Sequence, residues 1–232
     1  AYDRLGRLTE VTKDGGAVTV EKFTYDATGN RLSKRENGVD VPYTYPLTSH
    51  RLEATGTTPR TYDANGNLTR IGATLPTLTY NDENRLSHAE SEAGTADYRY
   101  NALGARVERT ASTPEGIESS QFVYDEAGHL LAEVDLSSRN VRGYVWLDEM
   151  PVAVFDAAGT KYVESDHLNT PRAVVAADTN QAVWSWRLLG LAFGELLPNE
   201  DVDGDSNPFT FQLRFPGQVL DNATGLNYNY FR

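Results

Sequence analysis

The sequence lacks cysteine altogether, contains a single methionine and has few basic side chains for its length. Without cysteine, neither a disulfide framework nor a thiolate metal site is possible. Lys and Arg number 21 against 33 Asp and Glu, for a net charge of −12. This balance disfavours nucleic acid as the main partner, because phosphate binding requires clustered cations.

Long hydrophobic segments are also missing. No apolar run approaches the ~18 residues of a membrane-spanning helix, and no signal peptide is found. The chain opens at Ala1 rather than at a methionine, so we expect it to be excised from a longer protein. Its 232 residues, 10% of them aromatic, suit a soluble β protein and do not suit a disordered one.

One short pattern recurs along the chain: Tyr-Asp-x-x-Gly, followed by a polar and then an apolar residue. Its copies are separated by 18 to 37 residues, so the unit is kept while the connecting loops vary. Looser copies start at Tyr80, Tyr100 and Phe155, and a distant one at Leu220. The clear copies supply the candidate turn residues Tyr2, Asp3, Gly6, Tyr25, Asp26, Gly29, Tyr62, Asp63, Gly66, Tyr124, Asp125 and Gly128.

Each unit predicts a hairpin turn. The aspartate can bond its own backbone two residues on, and the glycine supplies the positive φ that a tight turn needs. Flanking stretches such as 18–25 and 106–109 alternate polar and apolar residues, as strands do. The most apolar stretch, 188–197, is interrupted by two glycines and predicts no helix. We therefore predict an all-β fold of serial antiparallel hairpins, in which the repeated Tyr and Asp are structural.

Three longer motifs follow the repeats, at residues 144–153, 166–172 and 213–232. They read YVWLDEMPVA, DHLNTPR and LRFPGQ…TGLNYNYFR. Together with the Tyr-Asp units they resemble the RHS/YD-repeat family of bacterial polymorphic toxins, insecticidal toxin-complex subunits and animal teneurins. In the second motif, Asn169 stands where the family usually has glycine. The residues that match the RHS-associated core, and to which the resemblance assigns structural roles, are Trp146, Asp166, His167, Pro171, Arg172, Arg214, Pro216 and Gly217.

The resemblance implies a curved strip of a hollow β-shell that encloses a C-terminal toxin until it is delivered outside the bacterial cell, as in interbacterial competition. Residues 1–135 would carry the repeats and 136–232 a truncated core segment, within one continuous β structure. The implied partners are the rest of the parent shell and the toxin, and the acidic balance favours a cationic cargo. Since an excised strip leaves strand edges unpaired, we also expect an isolated fragment to self-associate.

The sequence gives no support for catalysis. The family's autoproteolysis motif is not in this sequence, so we expect no self-cleavage. The four histidines are far apart and lack metal-ligand spacing. Asp166 and His167 could form part of a hydrolytic triad, but no Gly-x-Ser-x-Gly segment supplies a nucleophile, and no phosphate-binding loop precedes a helix.

One acidic loop could hold a metal ion. Asp201, Asp203 and Asp205 alternate around Gly204, and oxygen ligands at alternate positions of a tight loop suit Ca²⁺. The spacing does not match an EF-hand. A solvated acidic turn is the simpler interpretation, with Ca²⁺ as the alternative and no other cofactor expected.

A second function stays open, namely an adhesion module that binds carbohydrate or a cell surface. Exposed aromatic side chains, for example Trp146, Trp184 or Trp186, could stack on sugars. Because these tryptophans lie in alternating apolar segments, packing into a core is the favoured role.

Overall fold

The computed structural model describes residues 1–16, 18–36, 38–187 and 192–229. Their regular structure comprises 20 β-strands and one short 3₁₀ turn at Asp14–Gly16. Within these ranges, no helix has the length and apolar character needed to cross a membrane. The predicted all-β class is confirmed.

The chain divides into two compact units. The first contains Ala1–Leu75 and the described part of Leu188–Leu197. In it, each strand pairs antiparallel with the next one in sequence. The strands are β1 (Glu10–Lys13), β2 (Val18–Tyr25), β3 (Arg31–Glu36), β4 (Val39–Thr44), β5 (Ala54–Thr55), β6 (Thr58–Tyr62) and β7 (Leu68–Ile71).

The second unit contains Pro76–Arg187 and the described part of Pro198–Arg232. Its strands also pair antiparallel in sequence order from β8 to β18, as the predicted serial hairpins require. A separate two-stranded sheet joins β19 to β20. The strands are β8 (Thr77–Tyr80), β9 (Leu86–Ser91), β10 (Gly94–Tyr100), β11 (Arg106–Thr113), β12 (Gly116–Tyr124), β13 (Leu130–Asp135), β14 (Val141–Leu147), β15 (Met150–Asp156), β16 (Gly159–Ser165), β17 (Pro171–Ala176), β18 (Ala182–Ser185), β19 (Gln218–Asp221) and β20 (Leu226–Asn229).

The strands of the second unit bury one face. In β12, Ser120 and Phe122 are buried while their neighbours Gln121 and Val123 are exposed, because successive side chains of a strand point to opposite faces. The buried face of β12–β18 carries a hydrophobic core that includes Val154, Val174 and Trp184, all fully buried. The sequence alternation predicted this face.

A segment after β18 completes that core. Phe211 is fully buried, with its ring centroid 5.3 Å from that of Trp184 and 6.3 Å from that of Tyr144. Leu213 and Val219 belong to the same cluster. The core therefore includes residues that follow the strip as well as the strip itself.

Two sequence-based predictions remain untested by the fold. The division at residues 135 and 136 rests on motif content and stays a prediction. Parts of two predicted features, residues 188–191 of the apolar stretch and 230–232 of the last motif, lie outside the described residues.

Candidate functional site in the repeat turns

Each repeat turn is built around the carboxylate of its aspartate. In the turn that begins at Tyr25, Asp26 Oδ1 accepts hydrogen bonds from the backbone N–H groups of Thr28 and Asn30, both at 2.9 Å. Asp26 Oδ2 accepts a third from Asn30 Nδ2 at 2.7 Å. Gly29 has a φ of 100°, which glycine adopts without strain. The carboxylate thus satisfies backbone donors that the turn leaves without strand partners.

Among the residues that the structure describes, seven turns share this backbone pattern. The N–H of the second residue donates to the carbonyl of the sixth, and the N–H of the fifth residue donates back to the carbonyl of the second. The sequence identified six of these turns as copies of the repeat, whereas it predicted the seventh only as a structural turn at Asp166 and His167. They begin at Tyr2, Tyr25, Tyr62, Tyr80, Tyr100, Tyr124 and Ser165.

This seventh turn lies in the DHLNTPR motif. Asp166 Oδ1 accepts from the backbone N–H groups of Leu168 at 2.8 Å and Thr170 at 3.1 Å, as Asp26 does in its own turn. Asn169 takes the glycine position with a φ of 61°. Asn tolerates this left-handed conformation better than other non-glycine residues, which is the signal that could have identified the turn.

The remaining residues of this motif surround the same carboxylate. Arg172 Nε donates to Asp166 Oδ2 at 2.9 Å. Pro171 begins β17 and is buried, while His167 points to solvent in the middle of the turn. Asp166 therefore stabilises the turn, and His167 is an exposed residue of the same turn.

A pairing irregularity precedes the aromatic position of the repeats. The register shifts by one residue between Thr24 and Tyr25, as in a β-bulge. Bulges at the corresponding place precede Tyr62, Tyr80, Tyr100, Tyr124, Trp146 and Ser165. Trp146 and Ser165 thus occupy the tyrosine position of two divergent repeats.

The polar atom of the aromatic side chain bonds back to the preceding repeat. Tyr25 Oη donates to the Leu8 carbonyl at 2.7 Å. The same bond joins Tyr62 to Leu52 at 2.6 Å, Tyr100 to Leu86 at 2.8 Å and, from its indole Nε1, Trp146 to Leu130 at 2.8 Å. Consecutive hairpins in each unit are therefore joined by side chains as well as by strand pairing.

The sixth residue of several turns reaches the next repeat. Arg7 lies over the Tyr25 ring at 4.8 Å, and its Nη1 donates to the Asp26 carbonyl at 2.8 Å. His129 stands in the same relation to the following repeat: its ring stacks on Trp146 at 4.8 Å, and its Nε2 bonds Glu149 Oε2 at 3.0 Å. Such cation–aromatic contacts add to the cohesion between repeats.

The turn carboxyls have lowered pKa values. At Asp3, hydrogen bonding to the Arg7 backbone lowers the pKa, and at Asp63 hydrogen bonding to the Asn67 side chain does so. At the others, partial loss of water acts to raise the pKa but the hydrogen bonds outweigh it. The pKa of Asp26 falls to about 2, and the pKa values of Asp125 and Asp166 are also lowered.

Arg214 is the buried cation of the last motif. Its Nη1 donates to the carbonyls of Phe211 at 2.5 Å and Leu213 at 3.1 Å, and its guanidinium lies 5.4 Å from the Trp186 ring centroid. Burial lowers its pKa to about 10. Pro216 and Gly217 form the turn before β19, with Gly217 at a φ of 79°. Arg214 thus stabilises the segment around Phe211 and Leu213 that completes the core of the second unit.

Two predicted copies of the repeat have different turns. At Phe155, Asp156 pairs directly with Gly159 in a two-residue hairpin, so the five-residue turn is absent there. At Leu220, Asp221 and Leu226 close a four-residue loop. Both segments match the repeat in sequence, but here the strand pairing extends to the aspartate itself, so the connecting loop is shorter.

Asp221 also anchors a buried charge cluster that the sequence analysis did not identify. Asp221 Oδ2 lies 3.2 Å from Arg106 Nη1, and its Oδ1 lies 3.5 Å from Arg109 Nη1. The Arg106 guanidinium lies 4.5 Å from the Tyr228 ring centroid and 4.8 Å from that of Phe122. The cluster fastens the β19–β20 hairpin to β11.

The acidic loop brings its carboxylates together. One oxygen of each of Asp201, Asp203 and Asp205 lies within 4.8 Å of the other two. The Asp201 N–H donates to Asn199 Oδ1 at 3.2 Å, and Asp201 Oδ1 is buried without a hydrogen-bond partner in the structure. Three converging carboxylates fit Ca²⁺ in ligand chemistry, and the calcium site stays a prediction.

A polar cleft opens beside the hairpin loops of the second unit. It has a volume of about 690 Å³ and is lined by more carboxylates than cations. Both Arg142 and Lys161 approach Asp156, at 3.5 and 3.4 Å. The charged side chains that line it are Arg109, Glu115, Glu118, Glu133, Asp135, Arg142 and Asp156. The sequence alone could not show that these charges share one cleft.

Three of the four histidines contact polar side chains in different parts of the fold. His50 Nδ1 lies 2.9 Å from Asn30 Oδ1, and His88 Nδ1 lies 2.8 Å from Asp97 Oδ1. His129 is held between Asp125 and Glu149. Burial acts to lower the pKa of His129, but its bonds to these two carboxylates raise it.

Comparison with known proteins places these features in a family. The family model described as Teneurin YD-shell matches residues 1–228. The chain is 24% identical over 98% of its length to the tRNA nuclease WapA of Bacillus subtilis (strain 168), and covers 10% of that protein. It is 27% identical over its whole length to the double-stranded DNA deaminase toxin A of Burkholderia cenocepacia (strain H111), and covers 18% of it.

Two solved structures of TcdB2-TccC3 show similarity to this chain. The crystal structure of TcdB2-TccC3-TEV matches 98% of this chain and 16% of its own, with 12% identity and a TM-score of 0.47. That of TcdB2-TccC3-Cdc42 matches 99% and 16%, with 15% identity and the same TM-score of 0.47. Since the family model spans nearly all of the sequence, the chain belongs to the Teneurin YD-shell family.

Proposed function

We propose that this chain is a non-catalytic wall segment of a YD-repeat shell, which encloses a C-terminal toxin and shields it until delivery outside the producing cell. The observation that carries the proposal is that this chain matches two relatives whose names describe different activities. One is named a tRNA nuclease and the other a DNA deaminase toxin, yet 98% of this chain matches the first and all of it matches the second. A segment shared by two different chemistries supports a role common to both proteins.

The geometry of the repeats supports the same role. In the turns, the aspartate oxygens accept bonds from their own turn, and several tyrosine hydroxyls donate to the preceding repeat. Side chains whose hydrogen-bonding capacity is used in this way stabilise a wall. A catalytic carboxylate would instead need to face a substrate.

The charge of the chain supports a cationic cargo. The net charge is −12, and the cleft of the second unit presents Glu118, Glu133 and Asp135 together. A cavity lined mostly by one sign of charge attracts the opposite sign. We therefore assign a basic polypeptide as the cargo chemistry.

Limited proteolysis of the full-length parent protein, read by intact mass, tests the enclosure. We expect the region that follows this segment to resist protease until the shell is denatured, even after the chain between them has been cut. Rapid digestion of that region while the repeats survive would contradict the proposal. A parent variant with a wall strand deleted serves as the control, because its cargo should lose protection.

The adhesion alternative loses two of its three candidate tryptophans, while Trp146 is half-buried. Trp184 and Trp186 are buried, at 0% and 3% exposure, and therefore do not offer a stacking surface for sugars. Phe155 and Tyr162 are exposed on β15 and β16. Glycan-array binding that disappears in Tyr162→Ala, without loss of fold, would favour adhesion over the wall.

A further inference from the structure

Burial in the first unit is confined to one small place. Among the residues that the structure describes there, three are buried, namely Glu21, Phe23 and Lys34. They lie on the adjacent strands β2 and β3, where Phe23 and Lys34 are direct partners. Glu21 is fully buried, which is unusual for a carboxylate and calls for a partner.

A remote segment, residues 192–195, covers these three side chains. The Ala192 N–H donates to Glu21 Oε2 at 2.6 Å. The Phe193 ring meets the Phe23 ring edge-on at 5.1 Å. Glu195 Oε1 lies 2.9 Å from Lys34 Nζ. Each buried residue is therefore matched by one contact from a segment about 170 positions away in sequence.

Two further contacts shape the acceptor face. Lys34 Nζ lies 3.4 Å from Glu21 Oε1, so it stands between a buried carboxylate of the sheet and the carboxylate of the segment. The Arg31 guanidinium lies 4.8 Å from the Phe193 ring centroid and 4.3 Å from that of Tyr43. The face thus offers four groups to a bound segment: a carboxylate that accepts an N–H, an aromatic ring and two cations. They belong to Glu21, Phe23, Lys34 and Arg31.

The covering segment is itself only partly buried. Phe193 is 46% exposed and the Glu195 side chain 41% exposed, while Leu197 beyond them is 81% exposed. On release of the segment, water could reach Glu21 and Lys34, so no charge would be left both buried and alone. A contact of this kind buries little apolar surface and is open to exchange.

We infer that the Glu21–Phe23–Lys34 face is a peptide-docking site, occupied by residues 192–195 of the same chain and exchangeable with a partner segment of the same chemistry. Such a segment presents a free backbone N–H, an aromatic side chain directly after it and a carboxylate two residues further on. The chain's own segment then acts as a placeholder that a competing segment displaces. This inference goes beyond the wall function and does not depend on it.

Binding of a labelled peptide tests the site directly. The probe is a fluorescein-labelled peptide of residues 192–199, added to the whole chain and to the double variant Phe193→Ala, Glu195→Gln, whose own segment is weakened. We expect the double variant to bind the peptide at least about tenfold more tightly than the wild type, because the site is no longer occupied. Equal binding to both proteins would overturn the inference.

Matched controls separate the site from general stickiness. Added to the double variant, Lys34→Gln should abolish binding, whereas Lys22→Gln, on an exposed position of β2, should leave it unchanged. A scrambled peptide that binds as well as the probe would contradict the inference. So would full retention of binding in Lys34→Gln.

Hydrogen exchange of the wild-type chain gives a readout that needs no substitution. We expect the amide of Ala192 to exchange much faster than the amides of β2, since the segment detaches while the sheet stays paired. Protection of Ala192 equal to that of β2 would show that the segment is a permanent part of the unit, and the docking site would be refuted.

Discussion

The repeated aspartate acts as a hydrogen-bond acceptor within its own turn. Asp26 accepts from two backbone N–H groups and from the side chains of Thr28 and Asn30. All of these bonds favour the ionised carboxylate, which explains why its pKa falls to about 2. One side chain therefore sets both the shape of the turn and its response to acid.

Acid should weaken the fold through these carboxyls. A carboxyl whose folded pKa lies below its unfolded pKa of about 3.9 stabilises the fold fully above that value, and the contribution is lost as the pH falls through the folded pKa. We therefore expect the urea midpoint to drop between about pH 4 and pH 2. Asp26→Asn should flatten part of this drop, and Asp82→Asn, which removes one exposed carboxylate from the turn at Tyr80, is the matched control for the loss of a charge. Equal slopes in both variants would contradict the assignment.

The tyrosine hydroxyl should contribute measurably to stability. Tyr100 Oη donates to the Leu86 carbonyl at 2.8 Å, and burial raises its pKa to about 12 despite nearby Arg106. Tyr100→Phe should lower the free energy of unfolding by about 1 kcal/mol, the usual net value of such a bond. Tyr2→Phe, at a ring that is 72% exposed, serves as the control and should change little. An equally small loss at Tyr100 would show that the bond between repeats adds nothing.

At the scale of the turn, the glycine position has two separate requirements. Gly29 and Gly104 both have positive φ, at 100° and 83°, so a side chain at either position is strained by about 1–2 kcal/mol. A Cβ at Gly29 would meet no other atom within 4 Å. A Cβ at Gly104 would overlap with the guanidinium of Arg85, which packs there from the preceding repeat.

Two alanine substitutions distinguish strain from packing. We expect Gly104→Ala to lower the urea midpoint more than Gly29→Ala, because only the former displaces a neighbouring side chain. Arg85→Ala combined with Gly104→Ala should recover the difference. Equal losses in the two single variants would show that backbone strain alone fixes this position.

The acidic loop yields a prediction at the same scale. If Asp201, Asp203 and Asp205 bind Ca²⁺, the ion stabilises the fold by about 2.7 kcal/mol when its concentration is a hundredfold above the dissociation constant. Titration calorimetry should then show heat, and the melting temperature should rise. Asp203→Asn with Asp205→Asn should remove both effects. No heat and no rise in the wild type would dispose of the site.

The repeats can be recognised from the sequence wherever the Tyr-Asp-x-x-Gly pattern is complete. The turns at Tyr2, Tyr25, Tyr62 and Tyr124 keep the aromatic, aspartate and glycine that the geometry uses. The repeat at Trp146 was missed because an indole N–H replaces the hydroxyl, and that at Ser165 because no ring is present. The segment that begins at Phe155 was predicted to be a copy of the repeat, but the same residue pattern forms a shorter hairpin there.

Contacts between distant parts of the chain could not be predicted in this way. The ion pair of Arg106 with Asp221 spans 115 positions, and the bond from Ala192 to Glu21 spans 171. A periodic pattern describes neighbours in one strip and carries no information on which later segment returns to it. The acidic loop was visible in sequence, since its three ligand residues are local.

At the scale of the whole molecule, this chain corresponds to a small part of each of its longer relatives. It spans 10% and 18% of the two curated proteins it matches. Within the chain, side chains join successive hairpins of each unit and a returning segment completes the core of the second. Cohesion between successive repeats is the property that a wall requires.

A cryo-electron microscopy map of the full-length parent protein tests the central claim most directly. The account predicts that the strands described here form part of a continuous wall, with density for the C-terminal region on its inner side. Density for that region outside the wall, with solvent alone on the inner side, would contradict the proposed enclosure.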